Sequence, residues 1–338
     1  MEIIRRKAYA RAGLIGNPSD GYGGKTISIS VRNFWAEAVL YEWDDLELVL
    51  AEKDGSRFRT IRELADDVRL HGYYGGVRLV KATIKKFVEF CDRQGHVLHE
   101  RTFSIRYESN IPRQVGLAGS SAIIVATLRC LMDFYQIDIP QQVQPSLALS
   151  VETEELGIGA GLQDRVIQVY EGAVAMDFSP DHGEEILGYR CGHYEPVDPK
   201  LLPPLYLAFR ADASGPTEIV HNDLRARFNL GDRTVVAAMQ RFAELAQSAH
   251  DALRAGEQNK LGPLLDANFD LRQSICQIPK QQAEMVRQAR AAGASAKFSG
   301  SGGAIIGTFA DDEVFARLVS EMDQIGCPVL RPVIVPDA

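Results

Sequence analysis

A soluble protein of mixed strands and helices, folded as two lobes, is what the sequence predicts, and three observations carry that reading. The chain has 338 residues, about twice the roughly 100–200 of an ordinary domain. Its 46% apolar and 24% charged residues, with 29 Gly and 15 Pro, are those of a folded globular chain rather than a disordered or fibrous one. Strand-like runs before residue 51 give way to helical periodicity from 74 onward, and both recur beyond the Pro-rich stretch Pro196, Pro199, Pro203 and Pro204. A lobe boundary is therefore expected near 192–204.

Residues 3–9, 25–31, 35–41 and 46–50 alternate or run apolar in short pieces broken by Gly and Asp, which predicts strands. Between the first two lies N-P-S-D-G-Y-G-G at 17–24, a loop too elaborate for a two-residue hairpin. From 74 to 91, Val77, Val80, Ile84, Phe87, Val88 and Cys91 recur at three and four, an amphipathic helix. A strand at 102–107 leads through a loop at 109–119 into a helix at 120–135, with Ser120 as its N-cap. Pro145 suits the first turn of a helix that ends at Leu156, before Gly157. After G-I-G-A-G come a helix at 162–170 and a strand at 173–178. The second lobe should hold a strand at 205–209, four helical stretches between 216 and 292, a strand with a Gly-rich turn at 296–303, a strand at 304–308, a helix at 313–324 and a last strand at 328–335.

The charge balance, 37 basic against 45 acidic residues, leaves −8, which argues against an extended nucleic-acid surface. The five cysteines, Cys91, Cys130, Cys191, Cys276 and Cys327, form no C-x-x-C pair, so neither a disulfide framework nor a zinc site is indicated and a reducing cytoplasm fits. The N-terminus lacks the apolar stretch of a secretory signal. The longest apolar-leaning run, 122–134, is broken by Arg129 and too short for a membrane span. His71, His96, His99, His182, His193, His221 and His250 show no ligand spacing.

Gly/Ser-rich loops at 13–24, 116–121 and 299–303 are where chemistry is expected. Any one alone can simply satisfy backbone geometry, because Gly is the default residue for positive φ. V-G-L-A-G-S-S differs by running straight into a long helix, so small residues let the backbone approach an anion while unpaired N–H groups and the helix dipole attract it. No Lys follows Gly119, which excludes the ordinary P-loop. Gly13 and Gly16 lack the leading glycine of a dinucleotide fingerprint, and neither Ser121 nor Ser301 sits in G-x-S-x-G. Glu152 and Asp164, separated by a glycine turn, supply acids that the turn can fold towards one site.

Together these features resemble the GHMP kinases (galactokinase, homoserine kinase, mevalonate kinase, phosphomevalonate kinase). Their first motif is matched by R-A-G-L-I-G-N-P-S-D-G-Y-G-G at 11–24, the second by I-P-R-Q-V-G-L-A-G-S-S-A at 111–122 and the third by K-F-S-G-S-G-G-A at 297–304, in order along the chain. Similarity to plant-type glucuronokinases extends further, through T-I-S-I-S-V-R-N-F-W at 26–35, E-L-G-I-G-A-G-L-Q-D-R-V-I-Q-V-Y at 155–170, N-F-D-L-R at 268–272 and G-A-S-A-K-F-S-G-S-G-G-A at 293–304.

The resemblance implies an α+β, two-lobed fold: a ribosomal protein S5 domain 2-like lobe at 1–198 and a ferredoxin-like lobe at 199–338, with the site in the groove between them. It implies an ATP- and Mg²⁺-dependent sugar-1-kinase acting on the anomeric hydroxyl of D-glucuronate, working in the cytoplasm as a monomer or homodimer. A heptose, fucose or other hexose kinase of the same fold is the alternative, and a non-catalytic sugar- and nucleotide-binding sensor a second. Carried over by motif, Asp164 is the catalytic acid paired with Arg11, Ser121 and Glu152 are Mg²⁺ ligands, and Arg113, Gly116, Leu117, Ala118, Gly119, Ser120 and Ser121 bind ATP. Asn17, Asp20, Lys25, Arg165 and Gly302, with Asp164, are expected at the sugar. Galactokinases carry Glu-His where this chain has Asn17 and Pro18, which disfavours galactose. Arg165, Lys25, Arg113 and Arg210 are candidate cations for a sugar carboxylate, since a guanidinium fork matches both of its oxygens. Phe34 and Trp35 are read as filling the lobe interface.

Overall fold

The computed structural model describes residues 3–49, 75–210 and 224–336; the expected element ends Leu50, Tyr74 and Pro216, with His71 and His221, lie outside them. The first sheet is built around a long antiparallel pair, β1 (Ile3–Ile15) and β2 (Lys25–Glu42). The expected pieces 25–31 and 35–41 are one strand. Ala10 pairs with Val31 while Tyr9 pairs with Trp35, so the polar break at 32–34 is absorbed as an irregularity in the register instead of ending the strand. β1 likewise continues through Gly13, which pairs with Ser28, where the sequence suggested a loop.

β3 (Glu47–Val49), β4 (Phe103–Ser109), β5 (Ala173–Asp177) and β8 (His193–Val197) complete this sheet in the order β3-β4-β2-β5-β8, with β1 on β2; β6 (Glu184–Ile186) and β7 (Tyr189–Cys191) form a separate hairpin. Among the described residues, the helices α1 (Gly76–Gln94), α2 (Gly119–Tyr135), α3 (Gln144–Ser150) and α4 (Gln163–Tyr170) accompany it. α2 and α4 pack on β1 and β2, and α1 packs on α2. On α1 the buried stripe is Leu79, Val80, Ala82, Thr83, Phe87, Phe90 and Cys91. Leu79 and Phe90 turn it away from Val88, which was expected inside and lies exposed.

The second sheet runs β10 (Lys297–Phe298), β11 (Ala304–Thr308), β9 (Leu205–Phe209), β12 (Val329–Leu330), all antiparallel. β12 has two residues where 328–335 was expected. Pro328 and Pro332 flank it, and neither has an N–H to give a ladder. Around this sheet stand α5 (Arg233–Arg254), α6 (Leu261–Ile275), α7 (Lys280–Ala291) and α8 (Asp312–Asp323). α5 is capped by Asp232, whose carboxylate accepts from Thr234 N at 2.9 Å and Val235 N at 3.3 Å.

One apolar core joins both sheets. Ala8, Ala10, Ala12 and Leu14 of β1 and Ile124, Leu128 and Leu131 of α2 belong to the same cluster as Leu205, Leu207, Leu245 and Ile306. A second cluster, around Tyr206, Met285, Phe298 and Leu318, fills the space under α7 and α8. Phe34 packs edge-on against Phe209, ring centroids 5.6 Å apart, joining the two sheets at their rim. No helix among the described residues is long and apolar enough to cross a membrane.

Phe90 has no exposed surface, so Phe90→Ala should lower the unfolding free energy by about 3–5 kcal/mol. Urea titration checks this; a loss under about 1 kcal/mol would mean that the α1 interface does not carry the packing described.

Candidate active site

Two of the three Gly-rich loops, the second and the third, meet on one guanidinium in β1, just before the first. Arg11 is buried in β1. Its Nε donates to Asp164 Oδ1 at 2.6 Å and its Nη2 to Asp164 Oδ2 at 2.9 Å. Its Nη1 donates to Gly116 O at 2.6 Å and Ser299 O at 3.1 Å. Fork-to-fork pairing fixes Asp164 in position and angle, which a point charge would not do. The backbones interlock as well. A Cβ on Gly300 would run into Gly116 O, and one on Gly116, at φ +74°, would sit 2.8 Å from Gly302 O. Glycine at these positions is a requirement of contact between the second and third loops.

α2 begins at Gly119, one residue earlier than expected, on Ala118 in the left-handed region (φ 61°, ψ 48°). Ser120 is therefore inside the first turn and is not an N-cap; its hydroxyl instead donates to Glu152 Oε1 at 2.8 Å. Having no side-chain cap, the helix start presents first-turn N–H groups that lack intrahelical acceptors, where an anionic ligand is favoured. Ser121 is fully buried and its Oγ donates to Ala118 O at 3.3 Å. Of the two serines, it is Ser120 whose hydroxyl reaches Glu152.

The helix expected over 145–156 is α3 followed by a π turn, Val151–Glu155. The wider turn carries Glu152 inward to 1% exposure, and Ile158 N closes it on Glu152 O at 2.7 Å. Arg165, next to Asp164 on α4, is also buried; it pairs with Glu152 through Nη2 and donates from Nη1 to Gly161 O at 2.8 Å. It is neither a solvated surface residue nor a guanidinium turned to a sugar carboxylate.

Asp20 stands at the other end of the site, against the backbone of Gly161, where a Cβ would run into Asp20 Oδ2. Burial, and then the negative charge of Asp164, push its carboxyl up from 3.8 to about 6, with Arg11 acting in the opposite direction. Asn17 is held from the second sheet: Lys297 Nζ donates to Asn17 Oδ1 at 2.6 Å and Gly13 O at 2.7 Å, and Asn268 Nδ2 to Asn17 O at 3.2 Å. Lys297 is buried, and desolvation, then Arg272 and Arg11, hold its ammonium well below the usual lysine range. Arg272 props the third loop through Gly300 O at 2.8 Å and Ser301 O at 3.1 Å. Sequence reasoning gave no role to Lys297, Asn268 or Arg272, although all three lie inside stretches that carried the resemblance. The signal was their clustering beside the Gly-rich turn, which becomes spatial only on folding.

The other expected cations have these surroundings. Lys25 pairs with Asp177 at 3.2 Å and donates to Gln247 Oε1 at 2.8 Å. Arg113 is exposed on the loop before α2, and Arg210 donates its backbone N–H to Gly303 O at 2.8 Å. Among the described residues no cluster of three or more His, Cys, Asp or Glu side chains is placed to hold a metal by itself.

Residues 78–172, which carry the second loop and both acids, match the family model described as GHMP kinases N terminal domain. Glucuronokinase 1 of Arabidopsis thaliana is 43% identical over 310 residues, 90% of this chain and 84% of the relative. The chain belongs to the GHMP kinase family. Probable glucuronokinase 2 of the same plant is 44% identical over 313 residues, again 90% of this chain and 84% of the relative. Among solved structures, the Streptococcus pneumoniae phosphomevalonate kinase superposes with a TM-score of 0.76 at 16% identity, covering 99% of this chain and 100% of that one. That likeness shows the two-lobed GHMP kinase fold and nothing finer.

Asp20 in this kinase holds its proton more tightly folded than unfolded, so folding takes up a proton between about pH 4 and 6. Its contribution favours the folded state below that window and opposes it above. The stability of Asp20→Asn relative to the parent should therefore rise as pH goes from 4 to 7. Urea unfolding at both ends of the range checks it; a difference that stays flat, or falls, contradicts the burial of Asp20 beside Asp164.

Proposed function

We propose that this protein is an ATP- and Mg²⁺-dependent glucuronokinase that transfers the γ-phosphoryl group to the anomeric hydroxyl of D-glucuronate, giving D-glucuronate 1-phosphate. The observation that carries the reading is Asp164, gripped on both oxygens by Arg11, which also holds Gly116 of the phosphate loop. The names of the two plant relatives support the choice of acceptor. The proposed division of labour follows the two sheets, 1–198 carrying the phosphate loop and the acids and 199–338 the third loop.

Each carboxylate oxygen has two lone pairs. Arg11 takes one on each oxygen of Asp164, leaving a second on each to accept the sugar hydroxyl and, late in transfer, its proton. Phosphoryl transfer passes through a loose transition state, so aim and charge neutralisation matter more than early deprotonation. Gly116, Leu117, Ala118, Gly119, Ser120 and Ser121, with Arg113 at the loop's entry, are assigned to the ATP phosphates at the start of α2. Asn17, Asp20 and Gly302 are assigned to the sugar.

Mg²⁺ fits the donors present: a buried carboxylate, Glu152, in contact with the Ser120 hydroxyl, is the hard oxygen set this ion prefers. Glu152 with Ser120 or Ser121 would hold it, and there it would neutralise charge on the phosphate oxygens.

Incubation with ATP, Mg²⁺ and a panel of uronic acids, hexoses and heptoses tests the proposal: a glycosyl 1-phosphate is expected from glucuronate, and turnover of neutral sugars alone would overturn it. Asp164→Asn should lower kcat about 10²–10⁴-fold, far more than it weakens nucleotide binding, because Asp164 acts on the acceptor and reaches the phosphate loop only through Arg11. Parent-like turnover in that variant would refute the role given to Asp164.

A further inference from the structure

Glu152 is placed where a carboxylate needs a counter-charge. Only 1% of its side chain is exposed, and only 4% of that of Arg165. A buried carboxylate without a partner is strongly disfavoured. Here the partner is Arg165, whose Nη2 donates to Glu152 Oε2 while Ser120 Oγ donates to Oε1. Each oxygen of the assigned metal ligand thus already accepts one hydrogen bond, and the guanidinium on Oε2 carries a charge that a dication would have to meet.

The guanidinium reaches further. Arg165 Nη1 donates to Gly161 O at 2.8 Å and lies 3.6 Å from Asp164 Oδ2. Glu152, Arg165, Asp164 and Arg11 form a string of alternating charge running from the assigned metal ligand to the phosphate loop. A guanidinium does not deprotonate at any working pH, so it cannot make room for a dication by losing its charge. It can only move.

We propose that Arg165 is an exchangeable counter-cation: it neutralises Glu152 until the divalent metal takes that carboxylate, then yields it and shifts its charge toward Asp164. The proposal rests on the kinase reading above and gives Arg165 a task other than gripping the sugar acid. Arg165 touches neither the phosphate nor the acceptor in this scheme. It is a positioning residue acting through two acids. Metal affinity is set against the Glu152–Arg165 pair, so the nucleotide-free protein keeps a buried acid compensated. Metal loading leaves Asp164 flanked by two guanidiniums, Arg11 and Arg165, fixing its direction just when the phosphate arrives.

The test is Mn²⁺ affinity in the presence of ADP, read from the electron paramagnetic resonance signal of free Mn²⁺, for the full chain and for Arg165→Gln and Arg165→Lys. Removing the competing charge should tighten Mn²⁺ binding about tenfold or more in Arg165→Gln. Arg165→Lys keeps a charge but loses the fork, so its affinity should fall between the two, and it guards against a folding failure of the glutamine form. Unchanged or weaker Mn²⁺ binding in the folded variants overturns the exchange. So does an Arg165→Lys affinity no tighter than the parent's. A parent that binds Mn²⁺ in this order of affinities but does not phosphorylate glucuronate keeps the exchange and loses only the substrate assignment.

Discussion

The site depends on the Arg11 guanidinium. Arg11 lies in β1, Asp164 in α4, Gly116 in the loop before α2, and Ser299 in the turn after β10. No two of these segments are neighbours in sequence, and all four are joined by donors of one side chain. Burying that charge is tolerable because a carboxylate faces it on two bonds and carbonyl oxygens take further donors, the condition under which a buried ion pair holds its geometry rather than weakening the core. Nε and Nη2 thereby fix Asp164, while Nη1 constrains the second and third loops.

The remaining charges are arranged around that anchor. Lys297 and Arg272 sit under the third loop, donating to backbone carbonyls and to Asn17. Glu152, Asp164 and Asp20 stand opposite, with Arg165 between the first two. A chain of net charge −8 thus gathers several cations, Arg11, Arg165, Arg272 and Lys297, around Glu152, Asp164 and Asp20. The overall sign bears on extended anionic surfaces and says little about such a local cluster.

Element types were largely legible, because hydrophobic period is a local property. The strand and helix character of β1, β2, α1, α2 and α4 follows from alternation or three-and-four spacing. What period misses is where a side chain is claimed by something distant. Ser120 reads as a cap from its place before an apolar run, yet Glu152, 32 residues away, takes its hydroxyl. The π turn at 151–155 has no periodic signature and alone brings Glu152 inside. Arg165 reads as exposed or substrate-facing from its position beside Asp164, and only the fold shows that it is spent on Glu152. The Arg11–Asp164 contact came from motif resemblance. Lys297 and Asn268, which hold the Asn17 loop, had no local pattern to expose them.

The central claim is that one planar, forked cation ties Asp164 to the second and third loops. Arg11→Lys keeps the charge and removes the fork, so an ammonium cannot hold both Asp164 oxygens together with Gly116 and Ser299. Steady-state kinetics with ATP, Mg²⁺ and glucuronate measures the consequence. The account predicts that kcat falls about 10²-fold or more, as expected when a catalytic group is displaced by about an ångström. A lysine variant turning over at the parent rate would contradict it.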